Sequence, residues 1–288
     1  MAIVTNVRTI KRRIRSVQNT AKITKAMQMV AASKMRKAQQ QVIASRPYAV
    51  KLSEILADIK ATLDDEDLQN PLLVTRPVKS VMVIHITPDR GLCGGLNSNL
   101  NKSAGSFVLA QDDPVSIITV GKKGRDFMVR SGASVLAEFT GIGDQPSYDS
   151  ILPVGKLAMD AYINGSADKV FLSFAEFVNT TIQRPLMRQL LPLEIPESAE
   201  SSRGQYFYEP DVINVLDDLV PRYIETQIYQ GLLEAVASEH SARMVAMQNA
   251  TDNAKDMIED LKLTMNKVRQ ETITKELLEV IGGVAALN

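Results

Sequence analysis

The sequence predicts an α/β protein in which two long terminal helices pair as a coiled coil and enclose, in chain order, a mostly parallel α/β domain. Three observations lead there. Apolar residues at both ends recur at three- and four-residue steps over many turns. Helix breakers are scarce at those ends: no Gly precedes Gly91, Pro47 is the only Pro before Pro71, and neither type occurs between Gly231 and Gly282. The middle alternates short β-branched or aromatic runs with helix-like stretches. The three segments are residues 1–70, 71–209 and 210–288.

The N-terminal seam runs Val7, Ile10, Ile14, Val17, Ala21 and Thr24, and resumes after Gln28 with Ala31, Met35, Ala38 and Val42. Beyond Pro47 it continues as Leu52, Leu56, Ile59 and Leu63. A repeat sustained this long calls for a partner helix. A kink is expected near Arg46, because Pro disfavours helix at the residue before it. The acidic run Asp64 to Asp67, then Asn70-Pro71, reads as the exit loop.

In the middle, Val81–Ile86, Val115–Val120, Val135–Ala137 and Val170–Phe174 read as strands, and 96–110, 122–130 and 148–164 as crossover helices. That alternation predicts a Rossmann-like sheet. Residues 180–193 contain Pro185 and Pro192 and fit an edge strand, since Pro cannot donate to a ladder. Residues 196–204 are polar and read as a loop. Pro210-Asp211 starts the last helix, whose seam is Ala250, Ala254, Met257, Leu261, Met265 and Val268. At 1.5 Å per residue, a helix from Pro221 to Ile281 is about 90 Å long.

Composition narrows the function classes. The 288 residues hold no uninterrupted apolar window of the roughly 18 residues a membrane span needs, and no secretory signal is expected. The lone Cys93 cannot close an internal disulfide, which suits a reducing compartment. Net charge is zero, yet residues 1–53 carry twelve Lys or Arg and no acid, whereas residues 211–288 carry thirteen acids against seven bases. The basic end can face the acidic end, an acidic partner, a phosphate backbone or a membrane surface.

Two glycine turns resemble phosphate loops, and neither fits. Gly91-Leu92-Cys93-Gly94-Gly95 lacks the dinucleotide spacing and has no Gly-Lys-Ser/Thr after it; Gly121-Lys122-Lys123-Gly124 lacks the upstream glycine and the hydroxyl residue. Both read as strand-to-helix turns, the first needing positive φ. His85 and His240 are the only histidines, and no Cys/His/Asp spacing fits a metal. No cofactor is expected. A nucleotide-dependent enzyme built on the sheet, and a basic coiled-coil module binding nucleic acid or acting as a chaperone, stand as alternatives. Arg8, Lys11, Arg12, Arg13 and Arg15 favour the second, although no aromatic residues interleave them for base stacking.

Several stretches carry more than pattern. They are Lys22–Met27, Met29–Ala38, Arg90–Asn97, Tyr208-Glu209-Pro210, Glu239–Met247 and Asn249–Ala254, followed by Asn266, Arg269-Gln270, Ile273-Thr274 and Glu276-Leu277. Together they resemble the γ subunits of F-type (F1Fo) ATP synthases, in order and over the whole chain. The likeness is to bacterial members without the chloroplast and cyanobacterial insertion. It implies an antiparallel coiled-coil shaft inside a ring of three α and three β subunits, with the α/β domain on the ε subunit and the membrane c-ring. It implies a non-catalytic rotor coupling ion flow to ATP synthesis or hydrolysis, peripheral to the cytoplasmic face of the cell membrane. It places Lys25, Met27, Lys34 and Arg36 beside an acidic lever of β, and Arg269, Gln270 and Thr274 on a β-subunit loop. Tyr208 and Glu209 fall at the foot that meets the c-ring and ε. The small apolar end, with Val284, Ala285, Ala286 and Leu287, becomes a bearing tip.

Overall fold

The computed structural model describes residues 6–63, 70–195 and 208–285, and side chains as far as residue 282. The loops expected at 64–67 and 196–204 lie outside the described residues.

Helix α1 spans Val7–Thr62 without interruption. Asn6 caps it: its side-chain oxygen accepts from the Arg8 amide at 3.1 Å, and its carbonyl from Thr9 and Ile10. The helix is not interrupted at Arg46, where the kink was expected. Pro47 lies inside it, one amide donor short, while Ala38, Leu52, Leu56 and Ile59 on either side are all sunk in one core. Packing on both flanks outweighs a helix-interior proline's intrinsic penalty of about 3 kcal/mol.

The sheet follows as β1 (Val81–Ile86), α2 (Leu96–Leu109), β2 (Val115–Val120), α3 (Lys122–Arg130) and β3 (Ser134–Phe139). A 3₁₀ turn at Tyr148–Ser150 leads into α4 (Leu152–Ile163), then β4 (Lys169–Phe177) and β5 (Gln183–Leu191). The order is β3-β2-β1-β4-β5; the first four strands are parallel and β5 is antiparallel at the edge, as its Pro185 requires. All six residues of β1 are buried, as befits a central parallel strand covered on both faces.

The last helix, α5, runs 74 residues from Val212 to Ala285. Asp211 caps it, accepting from the Asn214 amide at 2.8 Å. Leu216, Val220, Ile224, Ile228, Leu232 and Val236 recur every four residues and enter the same core as β4 and α4. Gly231 sits where α5 crosses β4. A Cβ there would stand 2.8 Å from Leu172 Cδ2, so the helix accepts a glycine in exchange for close approach.

The chain divides into two compact units, Ala31–Arg243 and the pair Met1–Val30 with Met244–Asn288. Both boundaries fall inside continuous helices, so α1 and α5 each contribute to both units. Within the sheet unit, as α1 ascends its partners descend α5: Lys34 acts on His240, and Arg46 on Glu234. In that unit the helices are therefore antiparallel.

In the helix-pair unit, Ile10, Met247, Thr251 and Ala254 are buried, and Ile14, Val17, Ala21, Leu261, Met265 and Val268 half-buried. Met257, expected in the seam, is 48% exposed; Ile258 turns inward instead, keeping the 3–4 step from Ala254 to Leu261. The basic and acidic ends attract only at a distance: Lys255 and, more weakly, Lys25 are the cations that lower the Asp252 pKa. Among the described residues no ion pair joins α1 to α5 in this unit, and the cations from Arg8 to Lys25 are exposed. The polar link is a hydroxyl pair, Thr24 Oγ1 to Thr251 Oγ1 at 2.7 Å. Thr251 also lies 2.7 Å from the Met247 carbonyl and Thr24 3.1 Å from that of Ala21, so one hydroxyl donates across and the other to its own helix. Thr24→Val is expected to cost about 1 kcal/mol by leaving a buried hydroxyl short of a partner, and Thr24→Val with Thr251→Val to cost less than either change alone. Urea denaturation of the four species checks this; simple additivity would contradict it.

Both histidines are buried. His85 Nε2 lies 3.0 Å from Asn101 Oδ1 and Nδ1 3.1 Å from Ser173 Oγ. The Asn101 amide nitrogen donates to the Lys123 carbonyl, so its oxygen faces His85 and the proton sits on Nε2. Burial lowers the His85 pKa to about 4, against the Asn101 hydrogen bond. His240 is also lowered to about 4, by burial first. A folded pKa below the unfolded value of about 6.5 means that the unfolded chain binds more protons. The contribution is complete above about pH 6.5 and is lost as pH falls toward 4. Stability is expected to fall from about pH 7 to about pH 5.5, and His85→Gln to remove about 1 kcal/mol of that loss. Denaturant titrations at both pH values measure it; an unchanged difference in the variant would contradict the assignment.

Candidate functional site

In this strand order, a ligand crevice opens beyond the carboxyl ends of β1 and β4, where crossovers leave in opposite directions. Here the chain fills it with its own last helix. Arg243 donates to the Gly91 carbonyl at 3.2 Å, Ser241 to Thr180 O at 2.7 Å and Ser238 to Ala175 O at 3.0 Å. Ala242 packs with Cys93, Leu96, Leu100 and Ala175. The turn is tight as expected, with positive φ at Gly94 (59°) and, less predictably, at Leu92 (63°) rather than Gly91. Cys93 is 1% exposed and burial pushes its thiol pKa up, so it is a packing residue and not a reactive one.

The second turn is also self-satisfied. Asp89 accepts from the Lys122 amide at the start of α3 and from the Gly141 amide, both at 2.9 Å, and Thr87 Oγ1 accepts from Gly124. A carboxylate of this chain stands where a helix start would receive a phosphate. Both halves of the nucleotide reading thereby lose their site. Among the described residues no cluster of three His, Cys, Asp or Glu is placed to hold a metal.

Beside the filled crevice lies a charged junction that the linear sequence conceals. Asp144 receives Lys34 Nζ of α1 at 2.5 Å and lies 3.3 Å from His240 Nε2 of α5. The histidine contact has ion-pair distance but not hydrogen-bond alignment, leaving Nε2 without a hydrogen bond. Arg243 Nη1 lies 3.4 Å from His240 Nδ1, and its other nitrogen pairs with Glu239 at 2.6 Å. Burial would raise the Asp144 pKa, but the Lys34 hydrogen bond and surrounding cations hold it below the usual value. Glu239 to Arg243 belongs to a motif conspicuous in the sequence; Asp144, in a loop without periodicity, gave no signal.

The residues named by resemblance fall on both units. In the helix-pair unit, Met27 is half-buried, which joins it to the seam side of α1, while Lys25 is exposed and reaches Gln28 at 3.1 Å. Arg269, Gln270 and Thr274 are exposed; the Thr274 hydroxyl donates to the Gln270 carbonyl at 2.9 Å. From Arg269 to Gly282 every residue is exposed. Ile273, Leu277, Leu278, Val280 and Ile281 all belong to that stretch, and at 100° per residue they share an arc of about 160° opposite Lys275, Glu276 and Glu279. Val284 and Ala285 lie in the helical stretch without described side chains; Ala286 and Leu287 lie outside the described residues. In the sheet unit, Arg36 is exposed, but Lys34 is engaged by Asp144. Tyr208 packs against the core and Glu209 is exposed beside it.

Similarity to known proteins agrees with this geometry. The family model described as ATP synthase matches residues 6–287. The ATP synthase gamma chain of Dehalococcoides mccartyi is 50% identical over 282 residues, covering 98% of this chain and 99% of the relative. That of Herpetosiphon aurantiacus is 49% identical over 290 residues, covering 98% of each. In fold, the chain is similar to one in the Euglena gracilis mitochondrial ATP synthase OSCP/F1/c-ring structure, with TM-score 0.67 at 19% identity, over 98% of this chain and 94% of that one. A chain of the Tetrahymena thermophila mitochondrial central stalk/c-ring structure matches with TM-score 0.59 at 24% identity, over 79% and 99%. Paired helices, a sheet whose crevice is closed by its own C-terminal helix, and half-sequence identity over nearly the full length converge, and the chain belongs to the ATP synthase gamma chain family.

Proposed function

We propose that this chain is the central rotor shaft of an F-type ATP synthase, performing no bond chemistry itself. It carries rotation between the membrane c-ring and the catalytic sites of the α3β3 ring. The observation that carries this reading is the division of the helices into an internal seam and an exposed exterior. The seam takes the small and apolar residues, leaving the α1 cations and the apolar arc of α5 facing outward. An exposed apolar arc marks a surface made for a partner.

A rotor's contacts must form and break each turn. Exposed ion pairs suit this, being worth only about 0–1 kcal/mol each. Lys25 and Arg36 are both exposed and would sweep past an acidic lever of β. Met27 would steady the same region from the seam side. Arg269, Gln270 and Thr274 would hydrogen-bond a β-subunit loop, the apolar arc and tip beyond them turning in an apolar sleeve. Tyr208 and Glu209 would meet the c-ring and ε subunit. No helix among the described residues is long and apolar enough to cross a membrane. Attachment at the cytoplasmic face of a bacterial membrane would come through these partners.

Mixing the chain with matched ATP synthase α and β subunits is expected to yield an assembled complex that hydrolyses ATP. Failure to assemble with a matched set would remove the rotor reading and favour the basic-module alternative. In the complex, Arg269→Ala with Gln270→Ala is expected to lower turnover at least about tenfold, as loss of charge-assisted bonds should. Removing residues 282–288 should be milder, because that end bears rather than catches. Unchanged turnover in the double variant would refute the assigned contact.

A further inference from the structure

We infer that the chain carries a pocket for a small, uncharged, planar aromatic molecule that donates an N–H or O–H hydrogen bond, walled by three tyrosines between α1 and α5 and anchored on Glu225. The inference goes beyond the rotor reading and does not rest on it. The pocket lies wholly within the Ala31–Arg243 unit and shares no residue with the positions assigned to partner contacts.

The cavity holds about 450 Å³ and opens to solvent, a size that small-molecule sites commonly have. Tyr48 enters it from α1, Tyr148 from the 3₁₀ turn before α4, and Tyr229 from α5. The sequence sets these phenols far apart, and the fold gathers them on one mostly apolar lining. Aromatic walls favour flat rings, which they meet by offset stacking or edge to face.

Two of the walls are fixed. Tyr148 and Tyr229 pack edge to face, with ring centroids 5.6 Å apart and planes at 72°. The Tyr148 hydroxyl donates to Glu225 Oε2 at 2.8 Å, and the Tyr229 hydroxyl to the Pro146 carbonyl at 3.2 Å. Burial, then the Glu225 hydrogen bond, pushes the Tyr148 phenol up to about 12, so it stays a donor at neutral pH. A Cβ at Gly155 of α4 would stand 3.3 Å from Glu225 Cγ, so the glycine lets α4 press Glu225 into place. The third wall is loose. Tyr48 is 55% exposed, and Arg222 at the rim is exposed beside it. Both are free to move over an occupant, Tyr48 with its ring and Arg222 with a guanidinium plane that stacks on aromatic faces.

The polar groups select the ligand by what they leave open. The Thr226 and Ser45 hydroxyls donate to the Arg222 and Val42 carbonyls of their own helices, at 2.7 and 3.0 Å. Glu225 Oε2 is taken by Tyr148, whereas its Oε1 has no hydrogen bond or ion pair among the described residues. A carboxylate oxygen accepts, so the occupant must donate. Charge sets the second condition. One acid, Glu225, and one cation, Arg222, line the pocket. A cationic ligand would meet Arg222 and an anionic one Glu225, so a neutral molecule is preferred.

The test uses the full chain carrying fluorotyrosine, whose seven tyrosines give fluorine NMR signals assignable by single changes to Phe. The probe is indole, a flat neutral ring with one N–H donor; N-methylindole is its counterpart without the donor. Indole is expected to shift the Tyr48, Tyr148 and Tyr229 signals with half-saturation on the order of 1 mM, while the signal of Tyr162, buried elsewhere in the core, stays put. N-methylindole should bind about tenfold more weakly. Tyr48→Ala, a change on an exposed side chain, should weaken indole about fivefold. Glu225→Gln keeps an acceptor for Tyr148 but can turn an amide donor toward the ligand, so indole should lose its advantage over N-methylindole. In each variant an unmoved Tyr162 signal reports that the core is intact. Indole that shifts none of the three signals, or shifts all seven alike without saturating, would overturn the pocket. Equal binding of the two indoles to the parent chain would overturn the anchoring role of Glu225.

Discussion

Everything in this protein depends on α5 being one unbroken helix. Its first half is core, and its second half is one partner of the helix pair. The four-residue stripe from Leu216 to Val236 buries against the sheet, and Glu239 to Arg243 closes the crevice at the strand ends. The helix then continues with the seam of Thr251, Ala254 and Ile258. Arg243 and Met244 are both helical. α1 obeys the same constraint and runs through Pro47 to keep it.

That continuity decides how the sheet is used. A Rossmann-like order normally leaves its crevice for a ligand. Here the crevice receives a helix, Asp89 supplies the anion at the start of α3, and Cys93 becomes part of a small apolar cluster. The domain is an anchor for two helices. Charge follows the same division. The cations of α1 make no close ion pair with α5 within the helix pair among the described residues, and the seam relies on small apolar side chains and a threonine pair. They stay outward, where weak and replaceable contacts are useful to a part that moves past others.

Much of this was legible in the sequence. Runs of β-branched residues located β1 and β2 to the residue, and Pro185 placed β5 at the edge. The α1 seam survived intact, because a heptad repeat and burial report the same geometry. Met257 misled because it is apolar at a near-seam position, and the drift of a 3.6-residue helix favoured Ile258. Pro47 does not end α1, because packing on both flanks holds the helix together across it. The junction was invisible for a different reason. Asp144, Lys34 and His240 are brought together only by tertiary structure, and one acid in a glycine loop has no pattern to detect.

The most direct measurement is rotation itself. Cys93 is too buried to carry a label, so it would be replaced by Ala and a cysteine introduced at Leu109, which is 88% exposed on α2. With α and β subunits free of reactive cysteines, the ring held by β and a probe on the new cysteine, Mg-ATP is added. The account predicts stepwise rotation of the probe in one direction. A complex that hydrolyses ATP at the normal rate while the probe stays still would contradict it.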